Sequence, residues 1–127
     1  AFEANTIAPL LLTEAAAPLL AKGRAPVVAH ISSLLGSIEA TQTFTPASYS
    51  VSKAALNMAA KIAAYPLGER GIRSVLLHPG WVLTDMGGPN APLRAPESVA
   101  GMLRVIDDLP ADARGDFLDY TGARLPW

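Results

Sequence analysis

Tyr49-Ser50-Val51-Ser52-Lys53 sets a phenol and an amine four residues apart. On a helix that spacing stacks the two side chains on one face. A cation beside a phenol favours the phenolate, so Lys53 is expected to draw Tyr49 from the usual pKa of about 10 toward neutrality, where it can give or take a proton. With three tyrosines in 127 residues, chance seldom supplies such a pair, although by itself it also fits a solvated helix face. Ser33 ends an apolar run, Val27-Val28-Ala29-His30-Ile31-Ser32. Open α/β sheets present ligand-contacting groups at such strand ends, though a lone serine there more often caps a turn. His30 and His78 fall inside or at the end of apolar runs and read as satisfied structural histidines. No cluster of Asp, Glu and His has metal-ligand spacing, so no metal site is expected.

The elements that must hold these groups follow from the apolar pattern. Phe2, Ile7, Leu10, Leu11, Pro18 and Leu19 recur at helical spacing, which predicts a helix over about 2–20. Val27 to Ser32 reads as a strand buried on both faces. Residues 33–46 form a Gly/Ser/Thr-rich loop, and an alanine-rich helix is expected from Ala47 to Ala64, closed by Pro66 and Gly68. Ile72 to His78 is a second strand, Trp81 to Arg94 a loop, Pro96 to Asp108 a third helix and Gly115 to Tyr120 a last strand. The order α-β-α-β-α-β implies an α/β fold of parallel strands with helical crossovers, in one domain over 1–127.

Ten basic and eleven acidic residues give a formal charge of -1 and are scattered rather than gathered in a block or stripe. Nucleic acid and anionic membrane are therefore poor candidate partners. With no cysteine there is no disulfide, thiolate nucleophile or Cys-ligated metal, which fits a reducing cytoplasm. The apolar opening contains Glu3 and Glu14 and lacks a basic start, unlike a secretory signal.

Asn5 in the first helix, Ile31-Ser32-Ser33, Tyr49 to Lys53, and His78-Pro79-Gly80-Trp81-Val82-Leu83-Thr84-Asp85-Met86 occur in an order that resembles the short-chain dehydrogenase/reductase family. The 16 residues from Ser33 to Tyr49, Leu34-Leu35-Gly36-Ser37-Ile38 and the tail Leu125-Pro126-Trp127 are most similar to that family's sniffer-type carbonyl reductases and C-factor-like proteins. The resemblance implies the C-terminal half of a doubly wound parallel-sheet, Rossmann-type domain. It further implies an oxidoreductase that moves hydride between NAD or NADP and a small carbonyl or alcohol. Tyr49 would exchange the proton, Lys53 would assist it and bind the nicotinamide ribose, and Ser33 would orient the carbonyl. Asn5 would bend the first helix and hold a relay water. Pro79, Gly80, Val82 and Thr84 would border the nicotinamide. Leu35, Ile38, Phe44, Trp81 and Met86 would line the substrate pocket, although for any one of them core packing is the plainer expectation.

The glycine-rich turn that seats a pyrophosphate in this family has no counterpart in these residues. The dinucleotide-binding N-terminal half is thus expected to lie outside them, and the chain alone to be inactive and to associate with that half or with its own copies. A non-catalytic, self-associating half-domain is the alternative.

Overall fold

The Val27–Ile31 run forms strand β1 because its β-branched residues suit a pleated surface, but only His30 of the five is buried, so the expected burial on both faces is not met where the outer edge of the strand is unpaired. The computed structural model describes residues 1–127. A π-helical turn, Glu3–Ile7, leads into α1 (Ala8–Leu20); β1, a 3₁₀ turn at Leu34–Gly36, α2 (Ala47–Glu69) and β2 (Arg73–His78) follow. Short strands β3 (Val82–Leu83) and β4 (Leu93–Arg94), helix α3 (Ala95–Asp107) and β5 (Arg114–Asp119) complete the chain. The main sheet is parallel in the order β1-β2-β5, with Ala29 beside Val75 and Leu76 beside Phe117. The parallel α/β architecture with flanking helices is the one the sequence predicts. The β3–β4 pair lies inside the stretch expected to be a plain loop.

Alternation along β2 assigns its two faces. Leu76 packs with Phe117 and with Leu56 and Ala60 of α2. Val75 and Leu77 pack with Val105 of α3 and Leu109 on the other side. α1 joins α2 through a cluster of Ala17, Leu67 and Ile72. Both crossovers step the same way across the sheet, yet α2 and α3 cover opposite faces, so the two connections have opposite hands. Right-handed crossovers make up about 98% of cases, and one of these two is an exception. Before α3 begins, the excursion from Pro79 to Arg94 carries the chain round the C-terminal ends of the strands.

α2 corrects one expectation: it does not stop at Pro66 and Gly68 but continues to Glu69. Pro66 forfeits one helical hydrogen bond, but buried Leu67 anchors the last turn in the cluster with Ala17 and Ile72. The stop is at Gly71, whose φ of +74° favours glycine. There the amide of Ile72 donates to the Leu67 carbonyl and that of Gly71 to the Gly68 carbonyl, a paired closure of a helix end.

Candidate active site

Tyr49 and Lys53 lie on the first turns of α2, and the Lys53 ammonium stands 5.8 Å from the Tyr49 ring centroid. Lys53 Nζ donates to the Ile31 carbonyl at 2.9 Å, which ties α2 to the end of β1 two residues before Ser33. Desolvation lowers the Lys53 pKa below its ordinary range. An ammonium has three donors, so two remain for a ligand. The Tyr49 carbonyl accepts from Ser52 Oγ, while its hydroxyl is left without a partner in the chain.

Ser33 caps the 3₁₀ turn, its Oγ accepting from the Leu35 amide at 3.1 Å. The cap and the chemical reading therefore coexist, because the hydroxyl proton stays free. The turn is pressed onto α2 at Gly36, where a Cβ would meet Lys53 C and Cβ at 2.9 Å. Neighbouring Ser32 donates from Oγ to Asn57 Oδ1 at 2.6 Å, fixing the strand end to the same helix.

Asn5 sits in the π-helical turn, and its Nδ2 donates to Ser52 Oγ at 3.1 Å. Thr6 Oγ1 donates to the Ser52 carbonyl at 2.8 Å. Short π segments mark functional positions in many helices. This one brings Asn5 onto α2 beside the residue preceding Lys53.

The Pro79–Gly80 turn follows β2 and is held from below. Ser98 Oγ of α3 donates to the Pro79 carbonyl at 2.6 Å, and Gly80 has a φ of +86° with Leu93 and Tyr120 too close for a side chain. Val82 pairs with Leu93 in the β3–β4 ladder. Thr84 Oγ1 accepts from the Gly87 amide at 3.2 Å, which leaves its proton free to donate.

Leu35, Ile38, Phe44, Trp81 and Met86 are all exposed, Phe44 by 95% and Met86 by 84%. The expectation of plain core packing fails for these five, because they stand on the loops after β1 and β2 rather than on element faces. His30 also departs from its expected role. Its imidazole makes no hydrogen bond in the chain, and the residue lines a groove of about 630 Å³ along the outer edge of β1, with Asn5, Leu12, Val28, Ile31 and Lys53. Desolvation, then the Lys53 charge, lowers its pKa. Tyr49 and Ser33 do not line this groove.

His78 is the satisfied structural histidine that the sequence predicts, whereas the contact of Gly36 with α2 has no signal in the sequence. His78 Nδ1 accepts from the Leu34 amide at 3.1 Å and so couples the Ser33 turn to the Pro79–Gly80 turn. Its pKa is lowered by burial, with the Asp119 carboxylate opposing. The signal was its place at the end of a strand.

A family model described as enoyl-(acyl carrier protein) reductase matches residues 1–101. The chain belongs to the short-chain dehydrogenase/reductase family. C-signal of Myxococcus xanthus is 49% identical over 126 residues, covering 99% of this chain and 76% of that protein. Among solved structures, the carbonyl reductase Sniffer of D. melanogaster superposes with a TM-score of 0.94 at 36% identity, over 99% of this chain and 55% of that one. NADPH-bound carbonyl reductase from chicken fatty liver gives a TM-score of 0.91 at 40% identity, over 99% and 55%. The chain thus spans about half the length of these two reductases. No helix is long and apolar enough to cross a membrane.

Proposed function

We propose that these residues form the catalytic and substrate-facing part of an NAD(P)H-dependent carbonyl reductase that acts on a small carbonyl or, in reverse, a secondary alcohol. The observation that carries this reading is the single hydrogen bond from Lys53 to the Ile31 carbonyl, with Tyr49 beneath the same ammonium. It joins the Tyr–Lys face of α2 to the strand end that bears Ser33.

Bound reduced nicotinamide supplies the hydride. Tyr49 delivers its hydroxyl proton to the carbonyl oxygen, and Ser33 donates to the same oxygen and fixes its orientation. Lys53 uses its two unengaged donors on the ribose hydroxyls. Asn5, held against Ser52, places a relay water between Lys53 and solvent. Thr84 Oγ1 and the Val82 backbone hold the carboxamide, beside the Pro79–Gly80 turn. Leu35, Ile38, Phe44, Trp81 and Met86 give the substrate an apolar surround. This donor set fits the nicotinamide and its ribose. The pyrophosphate and adenosine need a glycine-rich turn contributed by residues other than these, and the open edge of β1 suits a further strand from them. The 127 residues alone are accordingly inactive.

Tyr49→Phe removes only the ionisable hydroxyl. In the whole reductase it should lower NAD(P)H-dependent carbonyl reduction by about a hundredfold, with cofactor affinity unchanged within about twofold. Wild-type turnover in this variant would remove Tyr49 as the acid. Calorimetric titration of the 127 residues with NADH and NADPH should give no micromolar binding, and tight binding would overturn the assignment of the pyrophosphate site elsewhere.

A further inference from the structure

The tail after β5 reaches back to the loop that follows Ser33. Asp119 Oδ1 accepts from the Thr121 and Ala123 amides and from Thr121 Oγ1, which turns the chain back on itself. The returning strand pairs Arg124 with Leu118 in an antiparallel bridge, and the Leu125 amide donates to the Phe117 carbonyl at 2.9 Å. Trp127 then stacks on Phe117 with ring centroids 5.5 Å apart and planes at 25°. This seating holds the Trp127 main-chain oxygen over the loop, where it accepts from Ser37 Oγ and from the Glu39 amide, each at 3.1 Å.

Ser37 is the hub of that loop and is 1% exposed. Its Oγ also accepts from the Ala40 amide, its carbonyl accepts from Thr41 Oγ1, and its amide donates to the Leu34 carbonyl. Whatever fixes Ser37 therefore fixes the path from Ser33 through Ile38. Apart from the tail, this segment is hydrogen-bonded to β2 through the Leu34 amide, and its 3₁₀ turn rests on α2 at Gly36.

We propose that Trp127 is a positioning residue that, through its stack on Phe117 and its bonds to Ser37 and Glu39, holds the Ser33–Thr41 loop and so sets the size of carbonyl the site accepts. The part concerning substrate rests on the reductase reading above; the part concerning the loop does not. A ring on a buried aromatic platform gives the main-chain oxygen a fixed place, and a smaller side chain leaves the oxygen present but unseated. Trp127→Phe keeps most of the stack and should rescue the effects of Trp127→Ala.

Two measurements test this. Amide hydrogen exchange on the chain should show Glu39 and Ala40 exchanging about fivefold faster in Trp127→Ala, the equivalent of one lost aromatic stack, with the Val75–Leu77 amides of β2 unchanged. In the whole reductase, KM for an aryl ketone should rise by about fivefold while kcat stays within about twofold, and a short aliphatic aldehyde should be unaffected. Ser37→Ala should reproduce both effects without touching the stack. Equal acceleration in β2 would mark Trp127 as a general stabiliser and overturn the proposal. Faster exchange at Glu39 with an unchanged KM would overturn its role in substrate choice. A wild type that reduces no carbonyl would sink the reductase reading, while the exchange result would still decide whether the tail holds the loop.

Discussion

Along β5 the chain closes its own sheet, whereas along β1 it leaves the outer edge unpaired. The β5 side carries the returning tail, with Leu125 packed on the cluster of Leu56, Ala60, Leu76 and Phe117. The β1 side carries a groove lined in part by Leu12 of α1, which is 71% exposed, and Leu11 and Leu19 of the same helix are 61% and 73% exposed. Buried apolar area stabilises a fold, and exposed apolar area next to an unpaired edge invites another chain segment. The difference separates a covered edge from an open one, and it places Lys53 and Asn5 at the open edge while the loop after Ser33 is bonded to the tail of the covered one.

The comparison breaks most sharply at Phe117, which is fully buried, pairs with Leu76 and bears Trp127. Phe117→Ala should cost about 3–5 kcal/mol, a large share of the stability of a domain this size. Urea unfolding monitored by circular dichroism measures it; a loss under about 1 kcal/mol would mean that the β5 side is not the anchored one.

A smaller effect is expected where the Ser33 turn meets α2. Gly36→Ala drives a methyl into the Lys53 backbone at 2.9 Å, a contact that main chain cannot relieve by rotating. It should cost about 1–3 kcal/mol and, because the turn and Lys53 move apart, lower kcat/KM in the whole reductase. Unchanged stability and unchanged kcat/KM together would show that the turn tolerates a shift.

The main frame was legible because helical and strand periodicities differ over long apolar runs: β1, β2, β5 and all three helices lie where the pattern puts them within a few residues. Pro66 misled because a local rule was overridden by Leu67 packing, information that resides partly in Ala17, far back along the chain. The π-helical turn and the β3–β4 pair are too short for any period to register. At the site, the order of motifs sufficed to nominate Tyr49, Lys53, Ser33 and Asn5. The partners that hold them in place, Gly36, Ser98 and the His78 imidazole, have no spacing signature, since each acts across a long stretch of sequence. The five exposed apolar residues were ambiguous for the same reason: composition does not distinguish a core side chain from one standing on a loop.

Both histidines make stability depend on pH with a definite sign. The folded pKa values of His30 and His78 are lowered from 6.5, chiefly by burial, so the unfolded chain binds more protons than the folded one as pH falls through that value. Stability should therefore drop as pH falls below about 6.5 toward the depressed folded values, and be flat with respect to these groups above it. Thermal unfolding at a series of pH values checks this, and the double variant His30→Gln/His78→Gln should lose most of the slope. Covering the groove beside β1 should deepen the His30 part by burying it further, so a whole reductase with a steeper slope than this chain sharpens the contrast between the edges.

The smallest effects distinguish what holds each edge from what merely sits there. Arg124 bonds Asp116 at 3.2 Å, but the two side chains are 71% and 26% exposed, and an ion pair so open to solvent gains little. Arg124→Ala should change stability by less than about 0.5 kcal/mol even though it lies on the closed edge, because Leu125 and Trp127 hold the tail. On the open edge, Leu12→Asp should also stay within about 0.5 kcal/mol for the isolated chain, since the leucine is already in water. The same change should weaken whatever pairs with that edge, because a carboxylate would then have to be desolvated. Denaturation of both variants, with sedimentation of Leu12→Asp against wild type, measures the two claims together. A Leu12→Asp chain that is much less stable than wild type at low concentration would mean that α1 packs against something in the isolated chain, and that the two edges are more alike than the fold indicates.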